Sequence, residues 1–267
     1  MTITTIRACI DGIGLLGPGL NGWPGSLPIL SGQQPYQPQK TVLPAPALLP
    51  PAERRRSGDI VKLTLATGLE AISAAGLDAA RLPSVFAASG GDGVNCHAIC
   101  EMLASDDRQI SPTRFHNSVH NAAAGYWSIA TRAMTASSVL CAYDASFGAG
   151  LLEALAQVMT DNTPVVLLAC DTAYPEPLHS ARPLPDALGI ALVLAPKPGP
   201  ATLVSVSVTL TDAVADRYAH PVLEQLRASI PAARGLPLLC AIAQRQPQQV
   251  ILDYLDDTRL AIAVTPC

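Results

Sequence analysis

The chain has 267 residues, with 17 Lys and Arg against 21 Asp and Glu, for a net charge of −4. No basic excess exists to neutralise phosphates, which excludes a nucleic-acid partner. Charged residues make up 14% and apolar residues 49%, a sparse surface that predicts cover by a protein partner. The seven cysteines (9, 96, 100, 141, 170, 240, 267) are odd in number and lack framework spacing. They are expected to be reduced and mostly buried, in a cytoplasmic protein. The N-terminus shows no leader pattern and no run reaches transmembrane length, so no membrane span is expected.

In chain order, residues 3–13 read as a β-branched strand. A Pro/Gly-rich arm follows from Gly17 to Pro51, where regular structure is not expected. Ser57 is placed to cap a helix from about Asp59 to Ala75, with Gly76 as its stop. Pro83–Ser89 reads as a short buried strand ending in Ser89-Gly90-Gly91-Asp92-Gly93. Helices are predicted over residues 94–104 and 118–133, the second small on one side through Ala122–Gly125. A strand at 137–142 leads into a sharp turn and a helix at 146–160, where Phe147, Leu151, Leu155 and Met159 recur every four residues. The apolar run 164–170 suits a strand buried on both faces. Strands near 187–195 and 202–210, a helix from Pro221 to about Ile230, and strands near 237–243, 249–255 and 259–264 complete the chain. The alternation predicts an α/β fold with a largely parallel sheet.

Four motifs carry competing readings. Gly12-Ile13-Gly14-Leu15-Leu16-Gly17 matches G-x-G-x-x-G, but Pro18, Gly19 and Pro24 prevent the helix a dinucleotide site needs. No acidic residue follows before Glu53. A tight turn leaving a sheet edge is the better reading, and no cofactor is expected. Cys96, His97 and Cys100 fall short of a tetrahedral metal set, because the His points about 100° away from the thiols on a helix. Cys141 with His116 or His120 would make a thiol–imidazole couple, against a structural thiol in an apolar strand. Arg54-Arg55-Arg56 reads as a solvated helix approach, or as a contact for an acidic carrier protein.

The stretch Ser138–Gly148 has the shape of a nucleophile elbow: strand, sharp turn, helix start. Such a turn normally lifts a Cys or Ser to a helix end that favours the anion. Here Asp144 stands at the apex.

Together these segments resemble the N-terminal half of a β-ketoacyl synthase of the thiolase fold. The resemblance lies in Ile10–Pro18, in Ile110-Ser111-Pro112 through Asn121–Gly125, in Val165–Asp171 and in Gly189–Leu194. It implies one ketosynthase-like domain over 1–267, with a thiolase-type N-terminal half (1–199) and a reduced C-terminal half (200–267). Registering the helix through Gly150-Leu151-Leu152-Glu153-Ala154 puts Asp144 at the family's nucleophilic cysteine, with Tyr143 and Phe147 as the other elbow residues. No histidine is followed by Gly, and Gly-Phe-Gly-Gly does not occur, so the family's proton-handling pair and oxyanion turn are missing as well.

Such degenerate chains resemble chain length factors, in the short form of aryl polyene clusters. That resemblance implies a non-catalytic subunit, joined to a catalytic ketosynthase as a heterodimer or higher assembly and meeting the acyl carrier protein only indirectly. It also implies an acyl tunnel gated from the helix after Gly91, through Asp92, Asn95 and Ile99. The alternative is a small acyl-transfer or decarboxylating enzyme using Cys141.

Overall fold

A computed structural model describes residues 5–267; the expected strand start at residues 3 and 4 lies outside the described residues. The first strand, β1 (Ile6–Gly17), runs through the middle of a nine-stranded sheet. The others are β2 (Leu20–Asn21), β3 (Ser84–Ala87), β4 (Ser137–Leu140), β5 (Val165–Asp171), β6 (Leu188–Ala195), β7 (Val204–Thr211), β8 (Gln248–Leu255) and β9 (Thr258–Pro266). Their order is β4-β3-β5-β6-β1-β7-β9-β8, with β2 hairpinned onto β1.

The sheet is mixed, and the expected parallel character is confined to one end. Only β3 pairs in parallel, with β4 and β5; every other pairing is antiparallel. Parallel strands need helical crossovers, and those exist only between β3 and β5. They are α4 (Gly93–Ala104), α5 (Pro112–His116), α6 (Ala122–Thr131) and α7 (Ser146–Asp161).

Two hydrophobic layers sandwich the sheet. In β5, Val165, Leu167 and Ala169 face the layer built on α7, while Val166, Leu168 and Cys170 face the layer of α3 (Asp59–Ala74) and α6. Side chains of successive strand residues alternate faces, so a strand covered on both sides reads as a continuous apolar run. Within β1 the core-facing residues switch parity, from Ala8 and Ile10 to Ile13 and Leu15. A bulge between Ile10 and Gly12 causes the switch, and the Thr202 hydroxyl donates to the extra residue, Asp11, at 2.7 Å.

The glycine motif is therefore no turn at a sheet edge. Gly12 and Gly14 lie inside the central strand, where a Cβ would strike the carbonyl oxygens of Ala71 and Thr67 on α3. They let the helix backbone approach the sheet closely.

Three further expectations fail. The arm contains α1 (Trp23–Leu30), which accepts Pro24 because the first helical turn has spare N–H groups. After α1 the arm, over residues 31–50 up to α2 (Pro51–Arg56), lacks helix and strand but is pinned to its own chain. Leu49 is buried, the Tyr36 hydroxyl donates to the Pro18 carbonyl at 2.7 Å, and Thr41 reaches Asp186 and Ala187. Ser57 does not cap α3; Gly58 holds that position, and Ser57 closes α2 by donating to the Arg54 carbonyl. Residues 237–243 form α10 (Leu236–Ala243), a helix buried on all sides, rather than a strand. A short apolar run without periodicity fits either element, and Pro237 at the helix start is the local cue.

The predicted helix 118–133 begins only at Ala122, after the separate turn α5. The two remaining helices are α8 (Leu178–Ala181) and α9 (Pro221–Ser229).

Candidate functional site

The elbow is built where β4 ends. Cys141 and Ala142 lead into a 3-10 turn at Tyr143–Ala145, and α7 follows directly. The residue in the left-handed region is Tyr143 (φ 52°), one position before Asp144. A bulky aromatic there is strained and persists only when its surroundings over-determine it. The Ser146 hydroxyl donates to the Tyr143 carbonyl at 2.7 Å and accepts from the Ala142 amide at 3.1 Å. From outside, the Arg182 guanidinium lies 3.5 Å from the centre of the exposed Tyr143 ring, a cation–π contact.

Asp144 is clamped by two arginines distant in sequence. Arg182 Nη2 donates to Oδ1 at 2.8 Å, and Arg234 Nη2 donates to Oδ2 at 3.1 Å. Both arginine side chains are four-fifths buried, while the carboxylate is 43% exposed. Each carboxylate oxygen thus accepts a charge-assisted hydrogen bond from a guanidinium, which lowers its nucleophilicity. Among the described residues no histidine makes a hydrogen bond or ion pair with it. Sequence reasoning located Asp144 and missed both partners. Neither belongs to a recognisable motif, and only the fold brings them 38 and 90 positions along the chain to the turn.

Phe147 is not part of the elbow's surface. It is 1% exposed and packs on Gly235, where a Cβ would strike its ring. The predicted stripe holds through Leu151 and Leu155, but Met159 is exposed and Val158 takes the inward position. A four-residue spacing drifts about 40° per step on an α-helix, so the fourth residue leaves the face.

Behind the elbow, buried Asp171 at the end of β5 accepts from the Ser89 amide (2.8 Å), the Ser89 hydroxyl (2.7 Å) and the Ala232 amide (2.8 Å). Burial pushes its carboxyl pKa above the ordinary value, and these hydrogen bonds pull against that. The same loop carries the Gly-Gly turn. A Cβ on Gly90 would collide with the Tyr174 hydroxyl, and one on Gly93 with the Tyr174 ring.

Cys141 is exposed, against expectation, as are Cys96, Cys100 and Cys267; only three of the seven thiols are buried. Cys141 Sγ donates to the Ser89 carbonyl at 3.2 Å, while His120 Nε2 lies 3.2 Å from the neighbouring Ala88 carbonyl. The two side chains thus reach adjacent carbonyls of one loop. His116 instead meets the Tyr126 ring edge-on. His97 pairs with Glu101 at 3.3 Å, and no cluster of three metal-binding side chains occurs among the described residues.

On α4, Asp92 caps the helix by accepting from the Asn95 amide at 2.9 Å, and burial raises its carboxyl pKa. Asn95 is 7% exposed, and its Nδ2 donates to the Arg114 carbonyl at 2.8 Å. Its side chain joins α4 to α5. Asp92 and Asn95 line a groove of about 570 Å³, whereas Ile99, half-buried one turn on, lies outside that lining.

A mixed sheet between two helical layers, with an elbow leading from β4 into α7, defines the thiolase-like ketosynthase fold. Residues 31–252 match the family model "Beta-ketoacyl synthase, N-terminal domain", and the chain belongs to that family. Three solved structures share the fold at low identity. One is the ketosynthase ApeO in complex with its chain length factor ApeC from Xenorhabdus doucetiae (20% identity, TM-score 0.73, covering 96% of this chain and 99% of that one). Another is the ishigamide ketosynthase/chain length factor (14%, 0.65, 97% and 98%). The third is AntDE:AntF, a type II acyl-carrier protein in complex with its ketosynthase bound to the hexaketide (10%, 0.74, 99% and 100%). No curated protein sequence matches the chain. No described helix is long and apolar enough to cross a membrane.

Proposed function

We propose that the chain is a chain length factor: a non-catalytic subunit that pairs with an active ketosynthase and shapes its acyl tunnel in polyketide or aryl polyene synthesis. The observation that carries the reading is the Asp144 clamp, with a carboxylate ion-paired to Arg182 and Arg234 where the family resemblance expects a nucleophilic cysteine. A carboxylate whose two oxygens each accept from a guanidinium is a far weaker nucleophile than a thiolate, and among the described residues no histidine stands beside it. On this reading residues 200–267 are the reduced counterpart of a ketosynthase's second half.

The partner face is supported by β4, an edge strand of the sheet. Exposed apolar side chains lie on the elements that precede it in the chain: Phe115 on α5, Val119, Ile129 on α6 and Met134, which is 95% exposed. An open edge with apolar flanks is a liability unless something pairs with it. Asp92, Asn95 and Ile99 are the proposed tunnel gate from this side, with Ile99 the residue freer to reach an acyl chain.

Co-expression with a ketosynthase tests the reading. A stable heterodimer burying more than about 2,000 Å², with product only when both chains are present, is the expected result. Substantial acylation of Asp144, or a monomer indifferent to the ketosynthase, would sink it. The second reading, acyl transfer by Cys141 with His120, is favoured by the exposed thiol and by their shared loop. A thiol-directed acyl probe that leaves Cys141 unmodified in the native protein eliminates it.

A further inference from the structure

The arginine triplet resolves into three different jobs. Arg54 turns inward, its Nη2 donating to the carbonyls of Ala47 (2.9 Å) and Leu49 (3.1 Å), and so fastens the arm. Arg56 stands 3.5 Å from Glu53. Arg55 has no ion pair or hydrogen bond among the described residues; it is exposed and lines the 570 Å³ groove between the arm, α2, α4 and α5.

Across that groove stand Arg114 and Lys40, whose cationic heads are also unpaired among the described residues. The hydroxyls of Ser111, Thr113 and Thr172 line it too, and none makes a hydrogen bond within the described residues. Thr172 is 5% exposed. The groove's acids are already engaged. Asp186 accepts from the amides of Thr41 (3.1 Å) and Ala187 (2.8 Å), Asp92 from the amide of Asn95, and Asp59 pairs with Lys62 at 2.8 Å.

What remains uncommitted is three cations and three hydroxyl donors in a cleft of ligand size, about 300–1,000 Å³. Carboxylates bound to backbone amides are poor cation ligands, so the surplus suits a multiply charged oxyanion. Guanidinium forks and hydroxyls together match the many acceptor oxygens of a phosphate group.

We propose that this groove is a binding site for a phosphate-bearing ligand, held by Arg55, Arg114 and Lys40. The site lies apart from the elbow and shares Asp92 and Asn95 with the proposed tunnel gate; its lining carries Lys40, Arg55, Arg56 and Arg114 against Asp59, Asp92 and Asp186, on a chain whose net charge is −4.

Calorimetric titration of the purified full chain with inorganic pyrophosphate at low ionic strength tests it. Saturable one-to-one binding is expected, with inorganic phosphate weaker. Arg55→Gln and Arg114→Gln should each weaken binding about tenfold, the worth of one charge-assisted hydrogen bond. The double variant should lose it while keeping its near-UV circular dichroism. Arg54→Gln should leave the affinity unchanged, because its guanidinium faces the arm. The proposal is overturned by no saturable binding up to about 10 mM, or by binding that survives in the double variant. Phosphatidate vesicles form a second arm. Sedimentation with vesicles that pyrophosphate does not displace would assign the cations to a membrane surface and overturn the groove.

Discussion

The elbow and the apolar surface of α5, α6 and their flanking loops are finished in opposite ways. At the elbow the carboxylates are answered from within the chain: Asp144 by Arg182 and Arg234, Asp171 by Ser89 and Ala232. Nearby, Asp253 is held by Arg217 and Arg227. On α5, α6 and the adjoining loops, Phe115, Val119, Ile129 and Met134 are exposed, and the edge of β4 stays open. A region closed on its own charges has little left with which to do chemistry. A region left apolar and open has its energetics completed by something outside the chain.

The largest effect expected on this contrast comes from Asp171→Ala. It strands the Ser89 amide, the Ser89 hydroxyl and the Ala232 amide in the interior, and should cost about 3 kcal/mol or more of folding stability in urea denaturation. A loss under about 0.5 kcal/mol would mean that the elbow end is not tied together as described.

Acid should act next on the same end. Arg227 holds the carboxyl of Glu224 below its ordinary value, and hydrogen bonds from Arg217 and Arg227 hold that of Asp253 below its own against the opposing push of burial. A depressed folded pKa stabilises the fold above the unfolded value and is lost as pH falls through the folded one. Stability should therefore drop as pH falls below about 4, and Asp253→Asn should flatten part of that slope. An unchanged slope in the variant would remove the network from the account.

Asp144→Ala ranks third. It leaves two mostly buried guanidinium groups facing each other, and should cost about 1 kcal/mol after allowance for the exposed carboxylate. Asp144→Cys should gain no condensing activity, because no histidine reaches that position. Condensation by the variant chain alone would break the comparison outright.

On the open face the signature inverts. Phe115→Asp and Met134→Asp should change folding stability by less than about 0.5 kcal/mol, yet weaken association with a ketosynthase at least tenfold. The smallest structural disturbance should come from Ile99→Trp, which should shorten the product without abolishing condensation. Asn95→Phe is a blunter test, since it also breaks the bond to the Arg114 carbonyl.

Much of the architecture was legible in the sequence because burial on both faces writes itself as a continuous apolar run, as in β5 and β6. Gly76 marked the end of α3, and its φ of 66° supplies the reason. The elbow was legible as strand, turn and helix, with Asp144 at its tip. Other features left no periodic trace. The bulge at Asp11 reverses which residues of β1 face the core, and strict alternation cannot announce it. The direction of β6 relative to β5 depends on the path of the 172–187 connection, which no local propensity records. The α10 run is apolar at every position, so its period is invisible.

By itself, then, the sequence determined the ketosynthase-like order of elements and the carboxylate at the elbow, because local propensity and residue identity carry both. Only the tertiary structure decided what surrounds that carboxylate. Two arginines from unrelated segments converge on it, Tyr143 rather than Asp144 takes the strained conformation, and the arginine triplet divides between the arm, an ion pair and a groove. Those are outcomes of long-range packing, which brings together groups that no sequence spacing links.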